Sequence, residues 1–105
     1  MQIIVFQMLM NPIILFFAVF CLYFSVNNII TLTDFAGCSK LEELYLRKNN
    51  IWNISELYHL QSLPKLRILW LEGNPCSTTD NYRLEVLRLL PGLQKLDNQG
   101  TLILP

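Results

Sequence analysis

The sequence predicts an α/β fold: a short solenoid with parallel strands on its concave face and helical or 3-10 returns behind them. A C-terminal helix caps it, and an apolar segment precedes it. Three observations carry this reading. Leucines and an asparagine recur in one fixed pattern, every third residue between the copies is apolar, and Met1 to Thr33 contain no charged side chain.

The first complete copy is Leu41, Leu44, Leu46, Asn49 and Ile51; the second is Leu66, Leu69, Leu71, Asn74 and Cys76, 25 residues later. That period lies in the range of stacked repeat units. Within each copy the L-x-L triplet alternates, so a strand there turns both leucines inward and the middle residue outward. Between the copies run Ile54, Leu57, Leu60, Leu63 and Leu66, spaced by three. An α-helix would rotate such a row by about 60° per step. A tight spiral keeps it on one side. The same spacing precedes the first copy, through Ile29, Leu32, Phe35 and Cys38, with Asn27 two residues ahead of the row. Extended further back, the phase places Val19, Leu22 and Phe24 at the leucine positions, a match that any apolar stretch would give. Asn27, Asn49 and Asn74 form the polar counterpart of the leucine rows. Their amides, turned inward, satisfy backbone groups of the loops that would otherwise be buried unpaired.

After Asn74-Pro75 the spacing becomes helical. Thr79 or Asp80 serves as the expected N-cap. Tyr82, Val86, Leu87, Leu89 and Leu90 follow with helical spacing, and Pro91-Gly92 ends the helix. Leu93 and Leu96 supply a last apolar pair before Asp97. The chain therefore divides into an apolar leader at 1–24, a repeat domain with its cap at 25–98 and a short tail at 99–105. The leader has three readings. Residues 3–24 approach the length of a membrane span. The run IILFFAVFCLYF also fits the apolar core of a secretory signal, although the flanking positive charge and small-residue cleavage site are missing. The third reading packs the leader into the fold as an improvised first turn.

Composition narrows function. Net charge is zero, so there is no basic excess to neutralise a nucleic-acid backbone. Three cysteines form no closed disulfide set. Cys38 in the inward row and Cys76 after Asn-Pro read as buried thiols. No Cys/His spacing suits zinc. His59 has no nucleophile to serve, and the four glycines form no phosphate loop. No catalytic residue, metal ligand or cofactor site is expected. Asn53-Ile54-Ser55 matches the glycosylation acceptor pattern, which matters only on a secretory route.

Stacking in register places Tyr23, Tyr45 and Trp70 in one outward column, Ser25, Arg47 and Glu72 in a second, and Glu43 with Ile68 in a third. Tyr45, Arg47, Trp70 and Glu72 are the candidate partner-binding residues, because Trp, Tyr and Arg dominate binding hot spots. The plainer reading is cross-strand packing of Tyr45 on Trp70 and a weak surface pair between Arg47 and Glu72.

The repeat pattern resembles the leucine-rich-repeat family with 22-residue turns. Tyr82-Arg83, Leu90-Pro91, Leu93 and Leu96-Asp97 resemble that family's dedicated C-terminal cap. The resemblance implies a non-enzymatic protein–protein interaction scaffold. From Leu41 to Gln99 the chain is similar to a small ciliary member of the family. This implies a place in the cytoplasm or at the basal body of the cilium, a link to ciliogenesis and the DNA-damage response, and a NIMA-related kinase as partner. That member opens with a charged repeat and continues past the cap into a self-associating helical region. The sequence is therefore expected to be a truncated or alternative product, and partner contacts carried by the missing region do not transfer. The second reading is a membrane-anchored or secreted leucine-rich-repeat binding domain, with residues 3–24 as anchor or signal.

Overall fold

The computed structural model describes residues 21–23, 25 and 27–100. The membrane-span and signal readings of residues 3–24 fall mostly outside them. Three-residue strands β1 (Cys21–Tyr23), β2 (Glu43–Tyr45) and β3 (Ile68–Trp70) and the two-residue β4 (Lys95–Leu96) lie side by side in parallel. Register aligns Leu22, Leu44, Leu69 and Leu96. The strand β1 lies at the leucine phase extended backwards, so among the described residues the first strand falls inside residues 1–24. At the other end β5 (Gln99–Gly100) pairs antiparallel with β4. The boundary expected at 98/99 therefore runs through a hairpin, and Gln99 and Gly100 belong to the sheet.

The returns are 3-10 helices: η1 (Thr33–Phe35), η2 (Ile54–Leu60) and η3 (Pro75–Thr78). A 3-10 helix has about three residues per turn, so residues three apart share a face. This is the reason for the spacing by three. Leu57, Leu60, Leu63, Leu66 and Leu69 are buried, and Ile54 packs against them. In the preceding turn Ile29, Leu32, Phe35, Cys38 and Leu41 do the same. The core is one continuous cluster behind the sheet, sealed by helix α1 (Tyr82–Leu89) through Val86, Leu89 and the following Leu90.

The asparagine ladder lies within this core. Asn74 is 1% exposed. Its Oδ1 accepts from Ile51 N at 3.1 Å, and its Nδ2 donates to Leu46 O and Leu71 O, each at 2.8 Å. Asn49 repeats the arrangement one turn earlier, accepting from Ile29 N at 3.1 Å and donating to Leu46 O at 2.9 Å. Asn27 is only half-buried. Among the described residues no buried side-chain polar atom lacks a partner, as a closed core requires. Lys48 and Gly73 occupy the same repeat position and share a left-handed backbone, with φ of 56° and 85°. A Cβ on Gly73 would stand 2.8 Å from Lys48 Cγ and 3.2 Å from its backbone N. Glycine therefore meets two demands there, for positive φ and for space.

The cap differs from expectation at its start. Asn81, left-handed at φ 62°, is the N-cap, and no side chain caps the helix. The Thr79 hydroxyl is committed to Cys76 O at 3.0 Å, closing η3 instead. Asp97 Oδ1 accepts from Leu71 N at 2.8 Å and Glu72 N at 3.0 Å, and its Oδ2 accepts from the Tyr82 hydroxyl at 3.1 Å. Burial pushes the Tyr82 phenol well above its ordinary range, and the Asp97 carboxylate adds to this. Arg83 Nη2 donates to Gly100 O at 2.8 Å and so holds β5. Leu90, Leu93 and Leu96 are buried, while Pro91 turns the chain at the surface.

One inter-turn bond is pH-sensitive. The Glu56 carboxylate accepts from Leu32 N at 2.9 Å and Thr31 Oγ1 at 2.7 Å. Burial disfavours its charged form, but these two bonds and nearby His59 outweigh that and lower its pKa below the ordinary 4.5. A folded-state pKa below the unfolded value adds stability that is complete above the unfolded pKa and is lost as pH falls through the folded one. Glu56→Gln is expected to flatten the acid limb of a stability–pH curve. An acid limb of unchanged slope would contradict this.

Candidate protein-binding face

The strands' outward residues form the concave face. The Tyr45 and Trp70 rings lie 6.2 Å apart between centroids and are tilted by 34°. This is within the range of favourable aromatic pairs. Each ring is tethered at its polar end. The Tyr45 hydroxyl donates to Glu43 Oε1 at 2.8 Å, and Arg67 Nη2 donates to Glu43 Oε2 at 2.8 Å. Trp70 Nε1 donates to Glu72 Oε1 at 3.2 Å. The Lys95 ammonium stands 6.0 Å from the Trp70 ring centroid, at the outer limit of a cation–π contact. Arg47 Nε lies 3.6 Å from Glu72 Oε1, with the two side chains 49% and 60% exposed. That pair is water-screened and adds little stability, so both groups are available to a partner.

All four residues singled out in the sequence, Tyr45, Arg47, Trp70 and Glu72, are therefore together on one face. Tyr45 and Trp70 are half-buried and Arg47 and Glu72 exposed. Sequence reading missed Arg67, whose Nε is also 3.3 Å from Glu42 Oε1, and Lys95. Adding the repeat period of 25 to Glu42 gives Arg67, so the opposite charges at one repeat position were the signal. Glu42, Glu43 and Glu72 alternate with Arg47, Arg67 and Lys95, which leaves the face without a net sign. Such a surface suits a protein of mixed polarity and not a polyanion.

The remaining chemistry is sparse. Among the described residues no cluster of three His, Cys, Asp or Glu could hold a metal ion. Cys38 and Cys76 are free and buried. Burial raises both thiol pKa values, that of Cys76 to about 11, so neither supplies thiolate at neutral pH. His59 is half-buried, with Nε2 3.9 Å from Glu56 Oε1. Asn53 accepts from Ser55 N at 3.0 Å and caps η2. Among the described residues no helix is long and apolar enough to cross a membrane.

Parallel strands, 3-10 returns and a buried asparagine ladder give the chain a leucine-rich-repeat fold. The family model for Leucine Rich repeats (2 copies) matches residues 39–83. Within that class it is similar to cilia- and flagella-associated protein 410. Identity to the human protein is 56% over 78 residues, covering 72% of this chain and 30% of that protein. Identity to the mouse protein is 54% over 78 residues, covering 72% and 31%. The chain thus spans about a third of the length of these relatives. A chain in the crystal structure of the Drosophila melanogaster SNF/U2A′ complex superposes with a TM-score of 0.72 at 29% identity, covering 77% of this chain and 48% of that one. Folds of this class serve typically as interaction modules, with an extended concave surface as the binding site.

Proposed function

We propose that the chain is a non-enzymatic scaffold that binds a protein partner on its concave face, in a cilium-associated setting. The observation that carries this is the Tyr45–Trp70 pair, tethered at both polar ends before any partner arrives. Rings held in place have little conformational freedom left to lose on binding. The setting follows from the relatives' names, which tie them to cilia and flagella. Ciliogenesis is the process in which such a scaffold would take part. The DNA-damage response and a NIMA-related kinase remain expectations from resemblance, and nothing in the chemistry of this face selects a kinase.

Tagged full-length chain in ciliated cells tests the reading. It is expected to concentrate at the ciliary base. Combined Tyr45→Ala and Trp70→Ala should remove that enrichment, since central aromatic anchors are worth about 2 kcal/mol or more each. Leu84→Ala, at an exposed position on the cap helix, should leave it intact. Unchanged enrichment in the double variant, at matched thermal midpoints, would overturn the assignment.

A further inference from the structure

A second surface lies on the flank of the solenoid that follows the asparagine ladder. Ile30 and Trp52 occupy the same position in successive turns, 22 residues apart. They are 61% and 71% exposed. The segments that build this flank, 27–33, 49–55 and 74–79, contain no charged residue. The charges bordering it in sequence are Lys48 and Gly73's neighbour Glu72 on one side, and Asp34, Glu56 and Asp80 on the other. Trp52 Nε1 donates to Asn50 Oδ1 at 2.9 Å. The polar edge of the indole is thus satisfied within the protein, and the ring can enter an apolar phase without leaving an N–H unpaired.

We propose that this flank is a lipid-interface contact that seats Trp52 and Ile30 among the headgroups of a bilayer. Area and charge both favour lipid over protein. Two apolar side chains fall far short of the roughly 1,000 Å² that a specific protein interface buries. A second copy of the chain, meeting this one through the same two residues, falls short for the same reason. A bilayer contact is weak and reversible at this size but is built side chain by side chain, each contributing by its own apolar area, and Trp favours the membrane interface. An uncharged flank suits a neutral lipid surface and gives a charged partner nothing to pair with. Ile30 also belongs to the charge-free stretch Met1 to Thr33, so no ionised side chain in that stretch opposes the approach. The exposed amides of Asn28 and Asn53 supply polar groups at headgroup depth.

The chain has two tryptophans, so Trp70→Phe leaves Trp52 as the sole reporter. Full-length protein carrying that change is mixed with phosphatidylcholine vesicles, with and without brominated acyl chains. Trp52 emission should shift to the blue and lose most of its intensity to the brominated lipid. Added phosphatidylserine or salt should change neither. The same measurement on unmutated chain labelled with 5-fluorotryptophan resolves both indoles by fluorine NMR and guards against damage from Trp70→Phe. Three results would overturn the proposal. Trp52 emission unchanged in vesicle-bound protein would place the lipid contact elsewhere. A blue shift without vesicles that grows with protein concentration would assign the flank to a second copy. A shift that requires anionic lipid would assign the contact to basic residues off this flank.

Discussion

Leu69→Ala is expected to destabilise the domain by about 2–5 kcal/mol, the range for a fully buried leucine whose surroundings cannot collapse. Leu69 is the middle residue of β3, with no exposed surface, and its register partners Leu44 and Leu96 are buried on either side. Backbone pairing fixes those neighbours at the spacing of the strands, so they cannot move in to fill the space. Urea unfolding measures the effect. A loss below about 0.5 kcal/mol, the size of an ordinary surface change, would mean that Leu69 is not in the core. Removing one leucine from a chain this small is therefore expected to consume much of a total stability that for domains is about 5–15 kcal/mol.

Asn74→Ala is expected to cost about 2–4 kcal/mol. Its mechanism is different. Leu46 O keeps a bond from Asn49 Nδ2, and Leu71 O keeps one from Asn74 N. The group left stranded is Ile51 N, whose partner is Asn74 Oδ1. A buried donor without an acceptor costs about 1–3 kcal/mol, and the lost amide bonds add to it. Asn74→Asp separates the two halves of the amide. The carboxylate still accepts from Ile51 N, but it faces Leu46 O and Leu71 O without a proton to give. It should be at least as damaging as alanine at neutral pH. Its folded-state pKa is then raised, so stability returns as pH falls and the carboxyl takes up a proton. If both variants unfold at the wild-type urea midpoint, the asparagine is not the polar tie between turns.

These two residues were also the most legible in the sequence. Spacing by three is readable because 3-10 geometry projects every third residue inward, and that row needs no knowledge of distant contacts. Asn49 and Asn74 were readable because their position recurs with the leucines. The sheet's register follows from the same repeat, which is why Tyr45 could be placed beside Trp70. What escaped notice depended on detail within a turn or across the end of the repeat. The N-cap at Asn81 escaped because Thr79 spends its hydroxyl on η3, and this depends on where one helix stops. The β5 strand escaped because Gln99 and Gly100 carry no apolar pattern and are held through backbone pairing and Arg83. Trp52 and Ile30 were visible as apolar letters. Their exposure was not, since inward Ile29 and Ile51 sit beside them and the local composition does not separate the two faces.

On the proposed function, the strand face, and not the returns behind it, receives the protein partner. Site-specific photo-crosslinking tests it most directly. The photoreactive phenylalanine analogue p-benzoylphenylalanine replaces Tyr45 in one full-length variant and Tyr58, exposed on η2, in another. Both are expressed in ciliated cells and irradiated. A discrete crosslinked partner is expected from position 45 and none from position 58. The same partner crosslinked from position 58, with position 45 silent, would contradict it.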